Sequence, residues 1–174
     1  MRACTICSVF ALVVFSLGGV PARAQDGRPV EVTPYVALGS AGASPVGAAV
    51  TFPIASTLSV ETDVAYRRGE GAIHALSSST SLLYFLPRVR QSTPYVAAGV
   101  GLSQYGAPVF SFNGAPIGTQ PRLAMTVNAG GGLKMPMNEK LDLRTDAGWF
   151  KSFGHQGSEQ FRVAQGISFE VGKR

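Results

Sequence analysis

The sequence predicts an all-β chain, an eight-stranded antiparallel up-and-down transmembrane β-barrel. Three observations predict it. Apolar residues make up 45% of the 174 residues but charged residues only 14%, well under the roughly 25% of ordinary soluble domains. Apolar and polar residues alternate with a period of two over long segments, as in a strand with one apolar and one polar face. Beyond residue 25 no apolar run approaches the roughly 18–20 residues of a membrane helix, which leaves a closed barrel as the way to cross a bilayer.

Composition narrows the class further. The 21 glycines and 11 prolines follow no strict period, which excludes collagen, and the apolar content argues against general disorder. So little charge argues against a coiled coil. The length suits one domain.

Residues 1–24 read as a cleaved signal peptide. Arg2 supplies the positive start, Val9 to Leu17 the short apolar core, and Ala22-Arg23-Ala24 an A-x-A cleavage site. The apolar core is too short to span and ends at Gly18, Gly19 and Pro21. Residues 25–174 form the expected barrel domain. Cys4 and Cys7 both fall within the signal segment, so the mature chain has no disulfide or thiolate chemistry. Neither cysteine follows the apolar stretch as a lipid anchor would require. Without Arg2 and Arg23 the chain keeps 13 basic and 10 acidic residues, a net charge of +3. That charge is too mild and scattered to indicate nucleic acid.

The eight strands are expected in turn. The first (30–39) contains Thr33-Pro34-Tyr35-Val36-Ala37-Leu38-Gly39, and the fifth (93–105) repeats it as Thr93-Pro94-Tyr95-Val96-Ala97-Ala98-Gly99. The second (44–52) and third (56–67) belong to a unit, Gly47 to Tyr66, that aligns without a gap on Gly130 to Trp149. In the third, Leu58, Val60, Thr62, Val64 and Tyr66 oppose Ser59, Glu61, Asp63 and Ala65. The fourth (73–86) carries the Ser-rich run Ser77 to Ser81. The sixth (120–135) puts Arg122, Asn128 and Lys134 on one face. In the seventh (140–151), Leu141, Leu143, Thr145, Ala147 and Trp149 oppose Asp142, Arg144, Asp146 and Gly148. The eighth (160–171) alternates from Phe161 to Val171, its apolar face broken by Gln165. Both repeats indicate a barrel built by repeating hairpins.

Connections alternate in length. Pro53–Ala55, Pro87–Ser92 and Pro136–Glu139 are tight, each with a proline that stops the ladder. Residues 40–43, 68–72, 106–119 and 152–159 are looser. One barrel end then carries the short turns and both termini, and the other the longer loops.

In a membrane barrel the apolar face points outward. The polar faces then place Glu61, Asp63, Arg122, Arg144, Asp146, Arg162 and Glu170 in the lumen as a structural ion-pair network, preferred here to a catalytic centre. An eight-stranded lumen is just wide enough for side chains, so a general diffusion pore is not expected. Small residues such as Gly99, Gly101 and Gly130 to Gly132 relieve crowding where a tight barrel bends. No Gly-x-x-x-x-Gly-Lys-Ser/Thr cradle occurs. Tyr66, Trp149 and Phe161 near the loop end, with Phe52 and Phe169 near the turn end, suit aromatic girdles.

The pattern resembles the small outer-membrane β-barrel family of the OmpA transmembrane domain and OmpX. Thr93 to Gly101 carries the resemblance, together with Gly130-Gly131-Gly132-Leu133-Lys134-Met135-Pro136-Met137-Asn138-Glu139-Lys140-Leu141-Asp142-Leu143-Arg144, a glycine-rich strand, tight turn and alternating strand. It covers nearly all of the mature chain and specifies fold and location better than role. The resemblance implies a Gram-negative-type envelope, contact with outer-membrane lipid and insertion by the outer-membrane assembly machinery. Such barrels usually end on an aromatic residue that this machinery reads. Here the end is Phe169-Glu170-Val171-Gly172-Lys173-Arg174, with Phe169 as the candidate signal.

Chemistry-bearing residues are sparse. His155, Ser158 and Glu159 share one loop, which invites a lipid A hydrolase reading, but nothing in their spacing orients a base toward a nucleophile. His74 starts a strand and reads as a rim residue. No His/Cys/Asp/Glu cluster has metal-ligand spacing and no acidic loop resembles a calcium site, so neither metal nor cofactor is expected. The longest loop holds Val109, Phe110, Phe112 and Ile117, an apolar surface suited to a ligand or protein partner. The expected function is a monomeric outer-membrane barrel with a structural or surface-interaction role. The alternatives are a soluble lipocalin-like carrier of an apolar ligand and an envelope-lipid hydrolase.

Overall fold

A computed structural model describes residues 29–40, 44–68, 74–112, 115–153 and 158–171. Eight strands follow one another in chain order: β1 (Val30–Gly39), β2 (Val46–Ala55), β3 (Leu58–Arg68), β4 (His74–Phe85), β5 (Thr93–Phe112), β6 (Ala115–Pro136), β7 (Leu141–Phe153) and β8 (Glu159–Val171). Each pairs antiparallel with the next, and β1 pairs with β8, so the sheet closes into a barrel. Closure gives every strand two neighbours within the ring.

Alternation along each strand sorts side chains to the two faces. On β8, Ala164, Gly166 and Ser168 are buried while Phe161, Val163, Gln165, Ile167 and Phe169 are exposed. On β1, Thr33, Tyr35 and Ala37 are buried, whereas Val36 and Leu38 are 62% and 71% exposed. Apart from Leu83 and the two tyrosines Tyr35 and Tyr95, the buried residues are small or polar, and large apolar residues stand exposed on the outer face. That is the reverse of a soluble barrel.

Two connections differ from the sequence reading. The turn expected at Pro53–Ala55 lies at residues 56–57, because β2 continues through Ala55 with a register shift between Pro53 and Ala55. The shift lets the strand pass Pro53, which has no N–H to donate. The long loop expected at 106–119 is instead a β-ribbon. Here β5 and β6 outrun their other neighbours and keep pairing through Phe110↔Ile117 to Phe112↔Ala115. The cause is legible: Val109, Phe110 and Phe112 have high β-propensity, and Asn113-Gly114 is a hairpin-turn dipeptide. The link between β4 and β5 is tight, with Val89 bridging Ser92 and Arg90 at φ 56°.

The two repeats combine into a half-barrel repeat. The Thr-Pro-Tyr segments lie on β1 and β5, and the longer unit spans β2–β3 and β6–β7. Each member of a pair thus sits four strands from its counterpart around the ring. The hairpin registers agree: Gly47↔Ala65 and Thr51↔Glu61 on one side correspond to Gly130↔Gly148 and Lys134↔Arg144 on the other.

Candidate functional site

The candidate site is the barrel interior. At its centre Arg144 from β7 meets Glu61 from β3, across the lumen. Arg144 Nη2 donates to Glu61 Oε1 at 2.9 Å and Nη1 donates to Oε2, a bidentate pair. Both residues are buried, Arg144 5% and Glu61 8% exposed. Their remaining valences are filled by neighbours. Thr51 Oγ1 donates to Glu61 Oε2 at 2.7 Å, and Arg144 Nε donates to the Tyr95 hydroxyl at 2.7 Å and to Asp146 Oδ1 at 3.1 Å. Such extra hydrogen bonds are what make a buried pair tolerable.

A second layer lies toward the loop end. Tyr35 donates its hydroxyl proton to Asp63 Oδ2 at 2.6 Å, and Ser79 Oγ donates to Oδ1. Arg162 Nη1 lies 3.6 Å from Asp63 Oδ2 and donates to Tyr35 at 3.3 Å. Its guanidinium stacks 4.3 Å from the Phe150 ring centre, within cation–π range. A third layer lies at the turn end, where Lys134 Nζ reaches Glu31 at 2.5 Å and Asp142 at 3.2 Å. Thr33 and Ser168 share a hydrogen bond of 2.8 Å beside it.

Two cross-strand pairs make room for these layers. Tyr35 lies opposite Gly47, and Tyr95 opposite Gly132. A Cβ on Gly47 would fall 2.6 Å from the Tyr35 ring and hydroxyl, and one on Gly132 2.5 Å from the Tyr95 hydroxyl. Only glycine permits each ring to lie over its neighbour.

The layers divide the interior. A cavity of about 260 Å³ opens at the loop end among Arg67, Ser77, Ser103, Tyr105, Ser152 and Gln160. One of about 460 Å³ opens at the turn end among Glu31, Thr51, Phe85, Arg88, Lys134 and Asp142. Between them the free space falls to about 60 Å³, around Asp63, Asn128, Arg144 and Asp146. Such a filled lumen offers no continuous wide channel.

Of the seven network residues expected from sequence, Glu61, Asp63, Arg144, Asp146 and Arg162 meet in the two upper layers. Glu170 lies opposite Glu31 near the turn end. Arg122 is a correction. It is exposed, and its backbone partner is Tyr105 at the loop rim. Because β6 starts at Ala115, Arg122 stands above the packed lumen. Sequence reasoning missed Tyr35, Tyr95, Ser79, Glu31 and Asp142 as partners. Their position on the polar parity of their strands was the available signal.

Among the described residues no His, Cys, Asp and Glu group has the arrangement of a metal site. Ser158 borders the loop-end cavity; His155, its expected companion, lies outside the described residues, as do residues 1–24. The side chains of His74, Val109, Phe110, Phe112 and Ile117 lie outside them too. Above the girdle, Lys151 and Glu159 form a pair of 3.0 Å, and this hydrogen bond holds the Glu159 carboxyl below the usual carboxylate range.

On the outer face the aromatic residues fall at two heights. Trp149 lies opposite Phe161 at the loop end, while Tyr84 and Phe169, paired with Leu58 and Leu141, lie at the turn end.

No family model matches the chain, and no curated protein matches it. Solved structures do. The N-terminal β-barrel domain of Pseudomonas aeruginosa OprF is similar with a TM-score of 0.62 and 16% identity, over 82% of this chain and 98% of that one. Neisserial surface protein A is similar with a TM-score of 0.61 and 11% identity, over 82% and 94%. The outer membrane enzyme PagL is similar with a TM-score of 0.51 and 16% identity, over 81% and 99%. At these identities the likeness is one of fold: the chain is an eight-stranded, all-antiparallel closed β-barrel of the kind found in outer-membrane proteins.

Proposed function

We propose that this chain is a small outer-membrane β-barrel with a structural or surface-interaction role, neither an enzyme nor a general pore. The observation that carries the reading is the inversion of faces. Large apolar residues such as Leu38, Leu123, Met125 and Phe161 cover the outside, and charged residues are paired inside. In water such an exterior would be a barrel-wide apolar patch, far beyond what soluble monomers expose. In a bilayer it is an apolar band closed by aromatic girdles. Fold likeness to outer-membrane barrels supports the same location. In this reading residues 1–24 direct export and are removed, Phe169 serves as the aromatic signal to the assembly machinery, and the envelope is of Gram-negative type.

Within that reading, the ribbon of β5 and β6 reaches furthest beyond the membrane among the described residues, and we assign surface contact with a ligand or protein to it. Boiled and unboiled membrane fractions compared by SDS gel mobility test the location. A closed membrane barrel shifts on boiling and sediments with the outer membrane; a soluble periplasmic protein without a shift refutes the reading.

A further inference from the structure

The half-barrel repeat exposes a difference between its two copies on the outer face. Register places Thr62 opposite Thr80 on β3–β4, and Thr145 opposite Gln165 on β7–β8. The aligned repeat carries Thr62 onto Thr145, so the two pairs occupy matching places on opposite sides of the barrel. In the first, the two hydroxyls hydrogen-bond each other at 3.3 Å. In the second, neither Thr145 nor Gln165 has a side-chain hydrogen bond among the described residues. Gln165 is exposed, between buried Ala164 and Gly166, and so points outward.

Its depth makes this unusual. Gln165 lies midway along β8 between exposed Phe161 and Phe169, the two girdle residues of that strand. Its cross-strand neighbours are Val36 and Thr145, and exposed Leu38, Val163 and Ile167 surround it. The apolar band of such barrels is about 25 Å tall, so a side chain at its middle cannot reach either interface. A primary amide is then held in hydrocarbon with both its donors and its acceptor unmet.

We propose that the outer face formed by β7, β8 and β1, centred on Gln165, is where a second copy of this chain docks within the membrane. The amide chooses the partner. It donates and accepts, so two Gln165 side chains related by a two-fold axis satisfy each other reciprocally and need no other chemistry. Thr145 beside it offers a further hydroxyl, and the surrounding Leu38, Val36 and Val163 pack against their copies and exclude lipid. The inference rests on the outer-membrane reading above.

Sedimentation equilibrium of the full mature chain in density-matched non-ionic detergent micelles tests it, with the boiling shift checked on every sample. The native chain should populate a dimer. Gln165→Leu should keep the boiling shift and lower the association constant by about tenfold or more, while Thr80→Val, at the matching place in the other half, should associate as the native chain does. A folded native chain that stays monomeric, the result expected if a different membrane protein covers the face, overturns the inference alone. So does a Gln165→Leu chain that associates like the native one. Absence of any boiling shift overturns the membrane reading and the inference with it.

Discussion

Glu61 and Arg144 are counterparts in the internal repeat, 83 residues apart, and they are also each other's ion-pair partner. The two halves of the barrel meet, carboxylate to guanidinium, at the lumen's centre. The repeat supplies matching positions on facing walls, and opposite charges at those positions turn them into a cross-brace.

That brace predicts an asymmetric response to mutation. Arg144→Met leaves Glu61 buried without its partner and should cost about 3–5 kcal/mol, whereas Glu61→Met with Arg144→Met should recover most of it. Urea unfolding in lipid vesicles, followed by the gel shift, measures both. A single variant with an unchanged midpoint would show that the pair contributes nothing.

The glycine under each tyrosine should be intolerant. A Cβ at Gly47 meets the Tyr35 ring and the Val64 carbonyl, both within 2.6 Å. Gly47→Ala should destabilise by about 1–3 kcal/mol through overpacking. By contrast, the nearest atom to a Cβ at Gly39 is the end of the Gln160 side chain, which can swing away. Parallel denaturation of the two variants should separate them; equal losses would remove the steric argument.

The outer face predicts a cost that lipid imposes and water does not. Val36→Arg should destabilise the barrel by about 2–4 kcal/mol in vesicles, since Val36 sits level with Gln165 near the middle of the band. On a soluble barrel an exposed Val→Arg change stays within about 0.5 kcal/mol. Reversible folding into vesicles distinguishes these values.

Shortening the ribbon should spare the barrel. Below Tyr105, β5 is held by β4 on one side and β6 on the other, so joining Gly106 to Pro121 through a short turn should leave the boiling shift intact. Surface binding by cells carrying the shortened chain should disappear. Full binding after shortening would move the contact surface to another loop.

Much of this architecture was legible because a barrel wall has period two. Asp142, Arg144 and Asp146 alternate with Leu143, Thr145 and Ala147, and that alone assigned them to opposite faces. The identity of partners was not legible, because partners across the lumen come from strands remote in sequence. Tyr35 and Tyr95 were concealed by being aromatic: in a membrane barrel an aromatic side chain suits the outer girdle, yet both point inward beside a glycine. Lys134 meets Glu31 only because β1 closes on β8, which no local pattern specifies. The ribbon has a signal in Asn113-Gly114, a hairpin-turn dipeptide between Phe112 and Ala115.

The register shift between Pro53 and Ala55 bears on how such a chain can change length. The wall is one residue thick, so a single inserted residue exchanges inside and outside for everything beyond it in that strand. In mid-strand the exchange would turn charges into lipid and leucines into the lumen. At Pro53 almost nothing lies beyond it before the turn at residues 56–57. Strand ends are therefore where this lineage can absorb an odd number of residues, and elsewhere its strands can lengthen or shorten only in twos.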